Sequence, residues 1–515
     1  MSEAFQESVD SFNHPSRPDQ TSMPLVEQLQ QCAGRSYAPF HTPGHKRGKG
    51  VSAEFRSFLG DAAFGADLPE LPELDNLFNP EGVIQQAQAL AAEAFGADRT
   101  YFLANGSTAG LLAAILATCR PGDKVILPRN VHRSVISGLI LAGAIPVFIL
   151  PDYDADLDIA HGVAPSTIAQ ALEANPASKA VLLVSPTYYG TCSDIATIAK
   201  IVHQFALPLI VDEAHGAHFA FHSALPISAL KAGADVVVQS THKTLAALTQ
   251  ASMLHLQGDR VSPDRIAQAL QLVQSTSPNY LLLASLDAAR MQMATQGEAL
   301  LDRTIDLAND ARSRIAQIPG LQVLGSDRAT TPGCFALDAT RLTVIVTGLG
   351  IDGFAADEIL HQELGVTCEL PAMHHLTFIM THGNTPEDID RLVAALETLS
   401  QRCRDAAQNA VQNAAQNATA RSLPIFPITS LQTQATYSPR DAFFAPSQSC
   451  AITDAIGRPS AELVCPYPPG IPVLMPGELI TQSAIDYLKH IQAIGGVITG
   501  NSDPELNYLK VIFEP

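Results

Sequence analysis

Short runs of apolar, β-branched residues recur along the first half of this chain at intervals filled by helical patterns. They are KVILP (124–128), AIPVFIL (144–150), KAVLLVSP (179–186), LPLIVDE (207–213), DVVVQS (235–240) and ASMLHL (251–256). Strands that are apolar on both sides, separated by helix-length segments, require a mostly parallel sheet covered on both faces. That pattern predicts a large α/β domain over residues 80–290. Its first helix reads EGVIQQAQALAAEAFGA, with apolar residues at helical spacing and Gly96 as the stop.

The flanks divide the rest. Residues 1–22 read as a polar arm, and 23–79 as an N-terminal entrance segment containing the amphipathic PLVEQLQQCAG. Beyond 290, LQVLG, RLTVIVTG, GVTCEL and HHLTFIMTHG with helices between them predict a smaller α+β domain over 291–403. An Ala/Gln/Asn-rich linker follows over 404–422, and a C-terminal α+β domain over 423–515 carries the proline- and glycine-rich CPYPPGIPVLMPGE.

A formal net charge of −20 argues against nucleic acid or an anionic membrane as partner. The eight cysteines show no CxxC pair or Cys/His metal spacing, which predicts reduced thiols and no metal. Without a signal-peptide or membrane-length apolar stretch, the expected compartment is the cytoplasm.

In open parallel sheets, ligands bind beyond the carboxyl ends of the strands. ANGSTAG (104–110) begins a helix there, and backbone N–H groups with Ser107 and Thr108 suit a phosphate, although an ordinary helix cap reads the same way. VDEAHGAH places Asp212 at a strand end, where a carboxylate serves as counter-ion, base, metal ligand or helix cap. A metal site from Asp212, Glu213, His215 and His218 lacks any HExxH-type spacing. His132 follows another strand, SPTYYGTCSD (185–194) offers hydroxyls and an aromatic pair, and Lys243 ends the run DVVVQSTHK. A lysine there must shed its charge or find a use. An anion cradle, a flat imidazole, a strand-end carboxylate and a strand-end lysine together suit pyridoxal 5′-phosphate: the lysine takes the aldehyde and the carboxylate keeps the pyridine nitrogen protonated.

The segments FHTPGHKRG, ANGSTAG, SPTYYG, VDEAHGAH, QSTHKTLAALTQASMLH, TSPNYLLLASLD and PYPPGIPVLMPGE resemble the Orn/Lys/Arg decarboxylase family, from about residue 23 to the end. The resemblance implies the aspartate aminotransferase-like fold (fold type I) and pyridoxal-phosphate-dependent decarboxylation of a basic amino acid. Arginine to agmatine comes first, then lysine to cadaverine or ornithine to putrescine, within polyamine synthesis. It implies that Lys243 binds the cofactor covalently, Asp212 pairs with the ring nitrogen and His132 stacks on the ring. Ser107, Thr108, Ser240 and His242 would hold the phosphate, with Ala214 and His215 flanking the cofactor. Lys243 or a nearby histidine would return the proton to Cα. It further implies a homodimer with Thr276–Tyr280 reaching into the partner's site, higher even assembly being left open. The chain resembles the short form of the family, without the amino-terminal wing.

In ADLPELPELDNL the family pattern is broken at Pro69 and Asn76, near the expected site entrance. The basic side chain needs acids, for which Glu70, Glu73, Asp75 and Glu478 are the candidates, from the same chain or across the dimer interface, with solvated loop carboxylates as their ordinary reading. The alternatives are another fold type I activity, aminotransferase or lyase, and a catalytically silent paralogue.

Overall fold

The computed structural model describes residues 19–328, 331–413, 435–467, 471–493 and 495–513. Most of the polar arm, and the Gln/Asn/Ala repeat beyond residue 413, lie outside the described residues. The earlier part of that repeat continues the helix Pro386–Asn413.

Each apolar run forms a strand. The large sheet contains β1 (Arg99–Leu103), β2 (Lys124–Pro128), β3 (Ile145–Ile149), β4 (Ser178–Val184), β5 (Leu209–Asp212), β6 (Val236–Gln239) and β7 (Ser252–Leu256), in the spatial order β1-β7-β6-β5-β4-β2-β3. Pairings from β3 to β6 are parallel, and β7 runs antiparallel between β6 and β1. Successive side chains leave opposite faces: Val237 and Val211 join one core, while Val236, Val238 and Ile210 join the other. Strand β1 is the one that the apolar runs do not single out, because Arg99 and Thr100 interrupt its pattern. Thr100 is nevertheless buried and bonds the His255 imidazole at 2.8 Å.

The helix α1 (Gly106–Thr118) packs onto this sheet through Gly110. A Cβ at that position would stand 2.7 Å from both Leu103 and Val238 side-chain atoms. Glycine there lets the start of α1 lie close against the sheet. A second helix, α2 (Arg133–Ala142), follows β2 and is capped by His132.

The boundary expected at residue 290 falls inside one unbroken helix, α3 (Tyr280–Ile315). Its first turns bury Tyr280, Leu283 and Leu286 against the large domain. Its last turns bury Ala308, Ala311 and Ile315 in the core of the small domain. The small domain's sheet contains β8 (Gln322–Val323), β9 (Arg341–Ile345), β10 (Leu370–Pro371) and β11 (His375–Ile379), ordered β8-β9-β11-β10 and antiparallel throughout.

The C-terminal unit pairs β12 (Ser447–Ala451) with β15 (Tyr508–Ile512), and β13 (Cys465–Tyr467) with β14 (Val497–Thr499). Helix α4 (Gln482–Ala493) packs over a separate core. It is fastened to the large sheet by Arg129, just past β2, whose guanidinium donates to Glu478 at 3.0 Å and to the Val473 carbonyl at 3.2 Å. Both charged groups are buried. Removing one partner strands the other's charge, so Glu478→Ala is expected to cost about 3–5 kcal/mol. The check is a lowered midpoint in chemical denaturation.

Candidate active site

The carboxyl ends of β2, β4, β5 and β6 open on one cavity of about 170 Å³, closed over by the small and C-terminal domains. Asp212, the last residue of β5, is 4% exposed and accepts from the Ala214 N–H at 3.2 Å. Burial raises its pKa to about 6 against the opposing pull of Lys243, so it is ionised at neutral pH. Lys243 lies on the single turn Thr241–Thr244 directly after β6. Burial lowers the pKa of its amine, with Asp212 resisting. Its Nζ stands 3.0 Å from His215 Nε2 and 5.2 Å from the centre of the Tyr188 ring.

Arg341, on β9 of the small domain, decides the protonation of this pair. Its Nη2 donates to His215 Nδ1 at 3.2 Å and to the His215 carbonyl at 3.0 Å. A guanidinium only donates, so Nδ1 accepts and a neutral His215 carries its proton on Nε2. That proton points at Lys243, whose nitrogen receives it as a neutral amine. Burial, followed by the charges of Lys243 and Arg341, also holds the His215 pKa well below its usual value. Arg341 is itself placed by Asp338, whose carbonyl accepts its N–H at 3.1 Å. The Asp338 carboxylate binds His218 at 3.1 Å and the Thr340 hydroxyl at 2.8 Å. Burial opposes its ionisation, but His218, Arg341 and those bonds hold its pKa at about 2.

His132 caps α2: its Nδ1 accepts from Ser134 N–H at 3.3 Å, leaving the ring proton on Nε2. Burial, then Lys243 and Arg133, lower its pKa to about 4, so it is neutral. Ser107 lines the cavity at the start of α1, and Ser240 donates to its hydroxyl at 2.7 Å. Ala214 and His215 also line the cavity, whereas Thr108 is exposed. His242 Nδ1 donates to the Ala251 carbonyl at 2.9 Å, and its ring is not among the cavity walls.

The residues fit pyridoxal phosphate on three observations. The N-cap Asn105 makes no side-chain bond to the first turn of α1, so nothing on the side-chain side covers the N–H groups there. The Thr241 hydroxyl is buried without a partner. Asp212 keeps an ionised, desolvated carboxylate on the same cavity as an amine disposed to neutrality. Ser107 and the start of α1 suit the phosphate, with Ser240 and Thr241 behind them and not among the cavity walls, Lys243 suits the aldehyde and Asp212 the ring nitrogen.

None of the four acids expected to meet the substrate lines the cavity within one chain. Glu70 accepts from Asn76 Nδ2 at 2.8 Å and Leu77 N–H at 3.1 Å. Glu73 pairs with Arg35. Asp75 is committed to backbone N–H groups, among them Glu81 at 3.0 Å and Gly82 at 2.7 Å. Glu478 holds Arg129. Each carboxylate is already satisfied by its own fold. The side chains of the weighed metal set also diverge: Glu213 accepts from Gln239 at 2.8 Å and the Ala229 N–H at 2.7 Å, while His218 turns to Asp338.

Sequence reasoning missed Arg341, which comes from another domain and whose only sequence signal is an arginine opening an apolar strand, RLTVIV. It noted Tyr188 only as one of an aromatic pair; that ring centre lies 4.2 Å from the centre of His215.

The chain matches the family described as Orn/Lys/Arg decarboxylase, major domain, over residues 23–388, and the corresponding C-terminal domain over 427–503. It is 40% identical to the arginine decarboxylase of Bacillus subtilis, covering 96% of this chain and 99% of that one. Against the arginine decarboxylase of Halalkalibacterium halodurans it is also 40% identical, covering 97% and 99%. The lysine decarboxylase structure from Francisella novicida superposes with a TM-score of 0.81 over 95% of this chain and 81% of that one, at 23% identity. The fold is therefore the aspartate aminotransferase-like one, fold type I.

Arg341→Met removes the donor that fixes the His215 tautomer. The apo-protein is expected to react more slowly with pyridoxal phosphate at neutral pH, by about tenfold for one lost charged hydrogen bond. Arg341→Lys is expected to restore part of the rate. Absorbance of the Lys243 adduct in stopped flow is the measurement.

Proposed function

We propose that this chain, which belongs to the Orn/Lys/Arg decarboxylase family, is a pyridoxal-phosphate-dependent arginine decarboxylase that forms agmatine and carbon dioxide. Lysine and ornithine are the next substrates in order. The observation that carries this reading is a buried lysine amine disposed to neutrality that shares one cavity with an ionised Asp212. The full-length similarity to two arginine decarboxylases supports arginine over the other basic amino acids.

Pyridoxal phosphate, when bound, supplies the electron sink for the pair left on Cα as carbon dioxide departs. The chain's own residues do the rest. Lys243 Nζ, kept unprotonated, is the nucleophile that holds the cofactor between turnovers. Asp212 stabilises a positive ring nitrogen placed against it, and the start of α1 with Ser107 holds the phosphate. Leu111, Val184, Pro186 and Leu370 exclude water from the walls, which weakens solvation of the departing carboxylate. Lys243 Nζ, after taking up the proton that the substrate ammonium sheds, would be the group that returns a proton to Cα, and His132, neutral with its pKa lowered to about 4, would have to be protonated before it could serve instead.

Assembly as a homodimer is part of this proposal. It is supported by the aromatic side chains left in water on the N-terminal segment, where Phe40 is 94%, Phe58 81% and Tyr37 70% exposed. Among the described residues, no helix is long and apolar enough to cross a membrane.

Protein loaded with pyridoxal phosphate and offered arginine, lysine and ornithine together is expected to yield agmatine, identified by mass spectrometry. Keto acid without carbon dioxide would favour an aminotransferase instead. Lys243→Ala is expected to lower kcat by on the order of 10²–10⁴-fold or more. Asp212 loses its charge as pH falls through about 6, so the affinity of the apo-protein for pyridoxal phosphate is expected to drop below that pH, read by fluorescence titration.

A further inference from the structure

Within one chain, the cavity has one carboxylate besides Asp212 on its wall among the described residues: Asp158. It sits on the small hairpin formed by Tyr153–Asp154 and Ile159–Ala160. It is the last residue of the turn between those strands, and its neighbours Leu157 and Ile159 pack into an apolar cluster with Leu324 and Ile345 while Asp158 itself lines the cavity. An aspartate in such a turn often serves the turn's own N–H groups. Here Asp154 does that, accepting from Asp156 and Leu157 at 3.0 and 3.1 Å.

The carboxylate of Asp158 accepts from the Tyr153 hydroxyl at 2.5 Å, and among the described residues no lysine or arginine stands within ion-pair distance of it. Tyr153, Tyr189 and Tyr487 wall the cavity around it. Tyr189 follows Tyr188, the residue over which Lys243 lies, so the acidic end and the reactive end of the cavity are joined by two consecutive aromatic residues. Burial works against the charge of Asp158, and the Tyr153 hydroxyl and the His374 imidazole only partly offset that. A carboxylate so weakly compensated is costly to keep charged, and aromatic faces attract cations.

We infer that Asp158, set among these tyrosines, is the anchor for the cationic end of the substrate, a guanidinium or ammonium carried on an extended side chain. This rests on the reading that the substrate is a basic amino acid. Tyr153 occupies one position on Oδ1. The remaining acceptor sites on the two oxygens suit the two parallel N–H donors of a guanidinium. Asp158 is thus a specificity residue that acts at the far end of the substrate from the bond broken.

The test uses the full-length holoenzyme and two variants. Asp158→Asn keeps the shape and tolerates the left-handed backbone at this position (φ 56°). Tyr153→Phe keeps the carboxylate. Calorimetric binding of agmatine, which has no carboxylate to lose, is measured beside KM and kcat for arginine. Asp158→Asn is expected to weaken agmatine binding and raise the KM for arginine by about 10- to 100-fold, with the cofactor absorbance unchanged and kcat altered far less. Tyr153→Phe is expected to change both by only a few fold. Agmatine affinity within twofold of wild type in Asp158→Asn overturns the inference, whether or not the wild type turns over. So does an equal loss in Tyr153→Phe, which would assign the effect to hairpin packing. A wild type that forms no amine from arginine, lysine or ornithine overturns the proposed reaction separately, because the agmatine comparison does not depend on turnover.

Discussion

An amine enclosed with two imidazoles and an arginine is stable only if the protons are shared out in one particular way. Lys243, His132, His215 and Arg341 converge on the rim of a parallel sheet, and they cannot all be cations in so dry a place. The guanidinium keeps its charge whatever its surroundings. Its N–H therefore takes His215 Nδ1, the imidazole proton goes to Nε2, and the lysine becomes the acceptor. Asp212 supplies the compensating negative charge. The lysine's reactivity follows from this division, and the division follows from the position of one arginine.

That arginine belongs to the small domain, so the site exists only when the domains are held in register. The unbroken helix Tyr280–Ile315 fixes the small domain to the large one, with Asp287 and Arg290 paired inside it at 2.5 Å. The Arg129–Glu478 pair fixes the C-terminal unit. Three pieces of chain then enclose a single cavity whose near end is built for an anion and an aldehyde. Its wall also presents Asp158, held by the Tyr153 hydroxyl and without a lysine or arginine partner among the described residues. One pocket with opposite preferences at its two ends suits a substrate with an amino acid head and a cationic tail.

The large domain was readable because its strands are buried on both faces, which writes an uninterrupted apolar run into the sequence. The run 124–128 became Lys124–Pro128 without adjustment, and the others shifted by a residue or two at their ends. Ser107 was readable from the start of an apolar helix, and Lys243, Asp212 and His132 for a reason related to the strands. Each of these three stands where such a run stops, and in a parallel sheet those stops share one edge. His242 and Thr108 shared the same loops, but a loop does not say which of its side chains faces inward: His242 turned to the Ala251 carbonyl and Thr108 to solvent.

The acids mark the limit of that kind of reading. Glu70, Glu73, Asp75 and Glu478 lie in segments that resemble a site entrance, and their chemical type is right for a basic substrate. Whether a carboxylate is available depends on which N–H groups and arginines the fold brings to it, and that information is not local. By its own pattern the chain determined a doubly covered parallel sheet, the edge on which ligands bind, and the lysine and aspartate that meet there. Only tertiary structure decided that Arg341 sets the protonation of the lysine, that Glu478 is a tie between domains, and that Asp158 faces the cavity. Periodicity records burial along one element, whereas partners and counter-ions come from elements far apart in the chain.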